Sequence, residues 1–312
     1  MAEKPSVTII WPGLATAMQE INQSLLPEEL KQLLKKAHFT ADHHTFEKAL
    51  IQLFNAKPLT DADLPASALR NPGQLSLCAD PCYLHADRDR LLLFSINDLT
   101  MEEGTQLREC IQPLLNDFDA QLVPNDLNHW SVWLENMPDI SLTAMPSLIG
   151  KSVVSALPTG QEQNAWLRLN NEIQMALFEH PVNQQRQSAG KLPVNSLWFW
   201  GKGDWQPSTN GWDKVYGDST LLKLLSSACS VSLNSFSEWK PEQLGGGNQL
   251  LLLPELDLQN DWQQRLQLVT AQQILPLKQK LRRYQIQQLR LIIPEHGQYQ
   301  WRCWDVWKPW PL

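Results

Sequence analysis

Three short apolar runs, Val7 to Trp11, Leu250 to Leu253 and Leu289 to Ile293, constrain this chain more than any other feature. Each has strand length and lacks the alternation of a half-solvated strand, so each needs cover on both faces. Helical patterns separate them. Leu14 to Leu25, Pro27 to Ala37, Phe46 to Phe54, Thr220 to Cys229 and Asp261 to about Arg283 read as helices; Asp261 is read as the cap of the last, and Pro276 interrupts it. Buried strands alternating with helices imply an α/β fold with a mostly parallel sheet flanked by helices. Glu295-His296-Gly297 reads as a turn, and Gln300 to Trp304 as an edge strand after it.

The middle of the chain carries a different pattern. Leu75 to Ala79 and Leu91 to Ser95 read as strands, Met101 to Asn116 as an amphipathic helix, and Gln121 and Trp130 to Leu134 fall near later strands. A smaller α+β cap domain is therefore expected at 74–158, inserted into a core made of 1–73 and 159–312. The charged run Asp80, His85, Asp87, Arg88, Asp89 and Arg90 reads as an ion-paired turn between two strands, or as the lining of a cleft.

Composition sets limits on function. At 312 residues, 43% hydrophobic and 19% charged, the chain can bury a full core. A net charge of -7 argues against a dominant nucleic-acid surface. Five cysteines without a CxxC pair fit free thiols in a reducing compartment. No apolar run approaches the roughly 18 residues of a membrane span, and the N-terminus shows no cleavable apolar leader, so a cytoplasmic protein is expected. Fourteen tryptophans stand out, four of them, Trp301, Trp304, Trp307 and Trp310, spaced by three. Their rings either stack on bases or sugars or clamp the tail to the body; an acidic chain without basic interleaving favours the clamp.

The stretch from Asn171 to Gly203 draws the elements together. Trp166, Leu169, Ile173 and Leu177 recur at helical spacing, Pro181 ends the helix, Asn183 to Lys191 form a polar turn, and Leu192 to Trp200 read as a buried strand leaving through Gly201 and Gly203. Ligands in open α/β sheets bind beyond strand carboxyl ends, so this exit is one place to seek a site. For a lone Gly-x-Gly, an ordinary glycine turn is the favoured explanation.

Two segments carry a family resemblance: Glu179 to Asn183 with Arg186, Gly190-Lys191, Pro193, Asn195 and Trp198 to Gly203, and the run Ala79 to Arg90. They resemble archaeal-type, cofactor-independent phosphoglycerate mutases of the alkaline phosphatase superfamily, and more specifically the RpfE-type regulatory family of proteobacteria. The resemblance implies an alkaline-phosphatase-like fold. It also implies a site with two divalent metals held by Asp and His, and a Ser or Thr nucleophile.

Carried over residue by residue, that site is broken. The resembled mutases end their first strand in Asp-Gly, where this chain has Pro12-Gly13. The nucleophile position falls at His43-His44-Thr45; Thr45 is either a nucleophile or the N-cap of the next helix. Asp257 matches a metal ligand, but Asn260-Asp261 stand where a histidine is wanted, and the final Asp-His pair is Glu295-His296. What remains is the donor set Asn183, Arg186, Lys191 and Lys202, suited to a phosphate or carboxylate, or to holding the turn together.

The expectation is a non-catalytic binding or regulatory protein, without a resident metal or cofactor, that takes a small phosphorylated or carboxylate ligand or a protein partner. The alternative is a manganese- or zinc-dependent mutase or phosphohydrolase built around Thr45, Asp257, Glu295 and His296.

Overall fold

The computed structural model describes residues 4–20, 26–59, 63–208, 211–256 and 261–304. They form two compact units, one from 1–57 with 206–312, the other from 58–205. The chain opens with β1 (Ser6–Ile10), then α1 (Leu14–Glu20), α2 (Glu28–Lys35), β2 (His38–Ala41) and α3 (Phe46–Gln52). In the second unit come α4 (Ala66–Arg70), β3 (Ser76–Asp87), β4 (Arg90–Ser95), α5 (Met101–Leu115), β5 (Ala120–Pro124), β6 (Trp130–Leu134), β7 (Ile140–Ser141), β8 (Thr159–Gly160), α6 (Gln163–Phe178), α7 (Pro181–Ser188) and β9 (Ser196–Trp200). The chain then returns to the first unit through β10 (Lys214–Tyr216), α8 (Thr220–Ala228), β11 (Leu233–Asn234), β12 (Asn248–Leu252), α9 (Trp262–Val269), α10 (Leu275–Arg282), β13 (Gln288–Ile293) and β14 (Gly297–Arg302).

The first unit is built on a sheet of order β11-β10-β12-β1-β13-β14-β2. β11, β10, β12, β1 and β13 run parallel, and β14 and β2 add an antiparallel margin. The three apolar runs occupy its middle as β12, β1 and β13, where helices shield both faces. The fold class is therefore the expected mostly parallel sheet flanked by helices. One core gathers Ile9, Trp11, Leu30, Leu251, Leu277 and Leu291, all buried. Pro276 has no N–H and its ring crowds the preceding turn, and the helix accommodates it through a π-helical turn, Thr270–Ile274, between α9 and α10.

The named strands of the second unit all pair antiparallel. Its sheet has the order β4-β3-β6-β5, with β9 also on β3, and its own core of Leu77, Leu107, Ile111, Trp130, Trp166 and Phe199. The unit boundaries fall near 57 and 205 rather than at 73/74 and 158/159. The reason is β9, which zips antiparallel to β3 from Cys78↔Trp200 to Cys82↔Ser196, while the periodic helix α6 packs beside α5. The helix and strand assigned to the parallel core thus belong to the antiparallel unit.

Local expectations shift for similar reasons. Pro181 begins a helix as well as following one: it sits at the first position of α7, where a missing N–H costs nothing, so the expected polar turn is helical to Ser188. The charged run is strand, since β3 extends to Asp87 and turns only at Arg88-Asp89; Arg90 pairs with Asp87 across that turn. β14 is not an edge, because β2 covers it. Asp261 takes a left-handed backbone, φ +30, and its side chain makes no cap. Trp301 clamps as expected, its indole donating to the Leu33 carbonyl at 3.0 Å, and Trp304 is half exposed with Arg302 over its ring. Trp307 and Trp310 lie outside the described residues.

Candidate functional site

The carboxyl ends of β1, β12 and β13 are where a parallel sheet of this kind exposes its loops. Here two of those ends are sealed. Leu253 N–H donates to Ile10 O at 3.0 Å, Leu256 N–H to Pro12 O at 3.1 Å, and Trp11 N–H to Ile292 O at 3.0 Å. Gly13 makes the approach work. Its φ is +78, and a Cβ there would lie 2.5 Å from the Leu256 carbonyl oxygen. Trp11, Leu14, Leu253 and Leu256 are all core residues. The Trp11 indole N–H finds no acceptor among the described residues, a burial that costs about 1–3 kcal/mol.

The β13 exit is polar and gathers three of the candidates. Glu295, at φ +63, donates its N–H to His44 O at 2.8 Å and accepts at its carbonyl from His43 Nδ1 at 3.3 Å. Asp42 N–H reaches His296 O at 3.4 Å, and His296 Nε2 pairs with the Tyr299 hydroxyl at 2.9 Å. Thr45 caps α3, its hydroxyl oxygen accepting from Lys48 N–H at 3.4 Å, and it also bonds the Glu47 carboxyl. Burial, with His43 adding to it, lowers the His296 pKa and favours neutral imidazole. Glu47 was not anticipated. Burial raises its pKa, and the nearby Glu295 and Glu255 push the same way against the Thr45 bond. Nothing local marks Glu47 in the sequence, because its acidic neighbours arrive from the segments that follow β12 and β13. Asp257 lies outside the described residues.

Among the described residues no group of three His, Cys, Asp or Glu side chains converges to hold a metal ion. The donors among the described residues do not make up the two-metal set that the resemblance implies, since β1 ends in Trp, Pro and Gly.

The second set of candidates lies in the antiparallel unit, and its donors are engaged internally. Asn183 Nδ2 donates to Leu177 O and Val194 O, and its Oδ1 accepts from Val194 N–H at 2.8 Å. Arg186, only 1% exposed, donates from Nε to Leu192 O at 2.8 Å and from its terminal nitrogens to Glu103 and Asp98. Lys191 is half exposed and reaches Asp98 at 3.4 Å. Lys202 Nζ donates to Pro138 O and Ile140 O at 2.7 and 3.1 Å. The Gly-Lys-Gly exit does bind a carboxylate, but one from this chain: Gly201 and Lys202 N–H donate to Asp63 at 2.9 and 2.6 Å. Burial raises the Asp63 pKa against those bonds.

The chain matches no family model. A probable 2,3-bisphosphoglycerate-independent phosphoglycerate mutase of Geobacter sulfurreducens is 30% identical over 111 residues, 35% of this chain and 28% of that protein. The mutase of Methanothrix thermoacetophila is 28% identical over 157 residues, 50% of this chain and 39% of that one. This chain is homologous over part of its length to these mutases. The matched stretches span less than half the length of either relative. Among solved structures, a protein of Pyrococcus horikoshii aligns over 96% of this chain and 87% of its own, with a TM-score of 0.51 at 12% identity, which shows a shared fold.

Proposed function

We propose that this chain is a non-catalytic binding or regulatory protein on a phosphoglycerate-mutase-like scaffold, in the manner of the RpfE-type regulatory family. One observation carries the reading: the ends of β1 and β12 are stitched backbone to backbone and filled by Trp11 and Leu256, where the resembled enzymes need ligands for a metal. Without metals to neutralise the oxygens of an in-line phosphoryl transfer, most of the transition-state stabilisation is missing. The engagement of the Thr45 hydroxyl in the α3 cap supports the same conclusion. A small phosphorylated or carboxylate ligand, or a protein partner, is the expected binding target, with Lys191 the most accessible of the four donors.

The competing reading, a manganese- or zinc-dependent mutase, draws on the meeting of Glu295 and His296 with the His43 to Thr45 segment. Two measurements separate them: metal content by mass spectrometry of protein purified without chelator, and phosphoglycerate turnover after incubation with Mn²⁺ or Zn²⁺. Substoichiometric metal and no turnover are expected. Two metals per chain, or robust turnover, would overturn the proposal.

A further inference from the structure

The antiparallel unit carries a cleft of ≈ 410 Å³, within the size range of small-ligand sites, where the start of β5 meets the end of β6. The residues that line it include Trp133, the acidic Asp119 and Glu135, and the amide residues Gln74, Gln121 and Asn116; none of the lining residues is basic. The backbone places these groups together. Asp119 takes a left-handed conformation, φ +47, between the turn Asn116–Phe118 and β5. Gln121 then lies directly across from Trp133, and Trp133 across from Ser76, two residues beyond Gln74.

The tryptophan is held in place from behind. Its Nε1 donates to Asn71 Oδ1 at 3.4 Å, and Asn71 belongs to a closed ring of side chains with buried Ser131 and the more exposed Asn125. Asn71 Nδ2 donates to Ser131 Oγ at 2.8 Å, Ser131 Oγ to Asn125 Oδ1, and Asn125 Nδ2 back to Asn71 Oδ1 at 3.0 Å. An indole tied this way has little orientation left to lose when something settles on its face. An aromatic face attracts cations through its quadrupole, and two flanking carboxylates reinforce that preference. The same unit already uses the arrangement internally, with Arg70 over Trp200 beside Asp80, and Arg108 over Trp130. At Trp133 the ring and the acids are present and the cation is not part of the cleft.

We propose that this cleft binds an organic cation, an ammonium or guanidinium group, seated on Trp133 and neutralised by Asp119 and Glu135. Its source is either a free polyamine or a basic side chain of a peptide. The site is separate from the strand exits and stands whether or not the chain is a mutase.

Calorimetric titration of the full chain with spermidine, with an end-capped Gly-Arg-Gly peptide and with a neutral oligosaccharide tests it. One of the two cations should bind with one-to-one stoichiometry, and which one does identifies the source. The double variant Asp119→Asn, Glu135→Gln, both at exposed positions, should weaken that binding at least tenfold, and Trp133→Leu likewise, with Trp133→Phe retaining part of it. The carboxylate variant keeps the test decisive should loss of the Asn71 contact unfold Trp133→Leu. No cation binding at millimolar concentration, binding indifferent to the carboxylate variant, or binding of the oligosaccharide alone would overturn the proposal.

Discussion

Arg186 shows how a single side chain can look like a ligand donor and act as a rivet. A guanidinium that is 1% exposed, bonded to the Leu192 carbonyl and to two carboxylates, has no free face for a ligand. Arg186→Ala should destabilise the protein by about 3 kcal/mol, the low end for a broken buried pair because Asp98 and Glu103 are partly solvated. Arg186→Lys should recover only a minor part, since a compact ammonium cannot span acceptors that the guanidinium reaches from three separate nitrogens. Urea midpoints with unchanged slopes would check both; a variant as stable as the parent would return Arg186 to the list of ligand donors. The arginine stood out in the sequence but its role did not. Its acid partners lie 83 and 88 positions away, and no local pattern could pair them. Asp63, captured by the Gly201 and Lys202 amides, was missed for the same reason: the partners are 138 and 139 positions apart.

At the scale of elements, the joint between α5 and α7 depends on acidity. Burial acts to raise the Asp98 pKa, but the hydrogen bond and charge of Arg186, with Lys191 behind, outweigh it and hold the carboxyl below its ordinary value. Glu103 behaves alike: burial opposes, while the Thr100 N–H and Arg186 together prevail. Both folded values lie below the unfolded ones, so their stabilisation is complete above the ordinary carboxylate range and is lost as pH falls through the folded values. Between about pH 5 and 3 the parent should lose more melting temperature than an Asp98→Asn, Glu103→Gln variant, which has already lost those charges. Parallel losses would place the acid sensitivity elsewhere. Glu47 and Asp63, whose pKa values are raised, contribute with the opposite sign and lose stability as pH rises toward their folded values. Helices α5 and α6 were readable because apolar spacing and, for α5, the Thr100 and Glu103 capping box are local signals. α7 was not, because a helix of Asn, Gln, Arg and Ser shows no apolar stripe and its leading proline also reads as a stop.

For the whole molecule, the two units have separate sheets and separate hydrophobic cores, and among the described residues no strand of one sheet pairs with a strand of the other. Residues 58–205 contain every strand partner of their own sheet in one continuous stretch, so that segment expressed alone should fold, with a cooperative melt and near-UV dichroism from its buried tryptophans. A non-cooperative melt would show that its core needs the rest of the chain. Residue type and short-range period were enough for the class of each apolar run, the presence of a parallel sheet and most helices. Which strands pair was decided only by the tertiary structure. Antiparallel capture of Ser196 to Trp200 by β3 moved the central segment out of the parallel core, and the glycine exit of that strand meets the carboxylate of Asp63, far away in sequence. A buried strand reads the same from its sequence whether its neighbours run with it or against it; only the long-range contacts settle the direction.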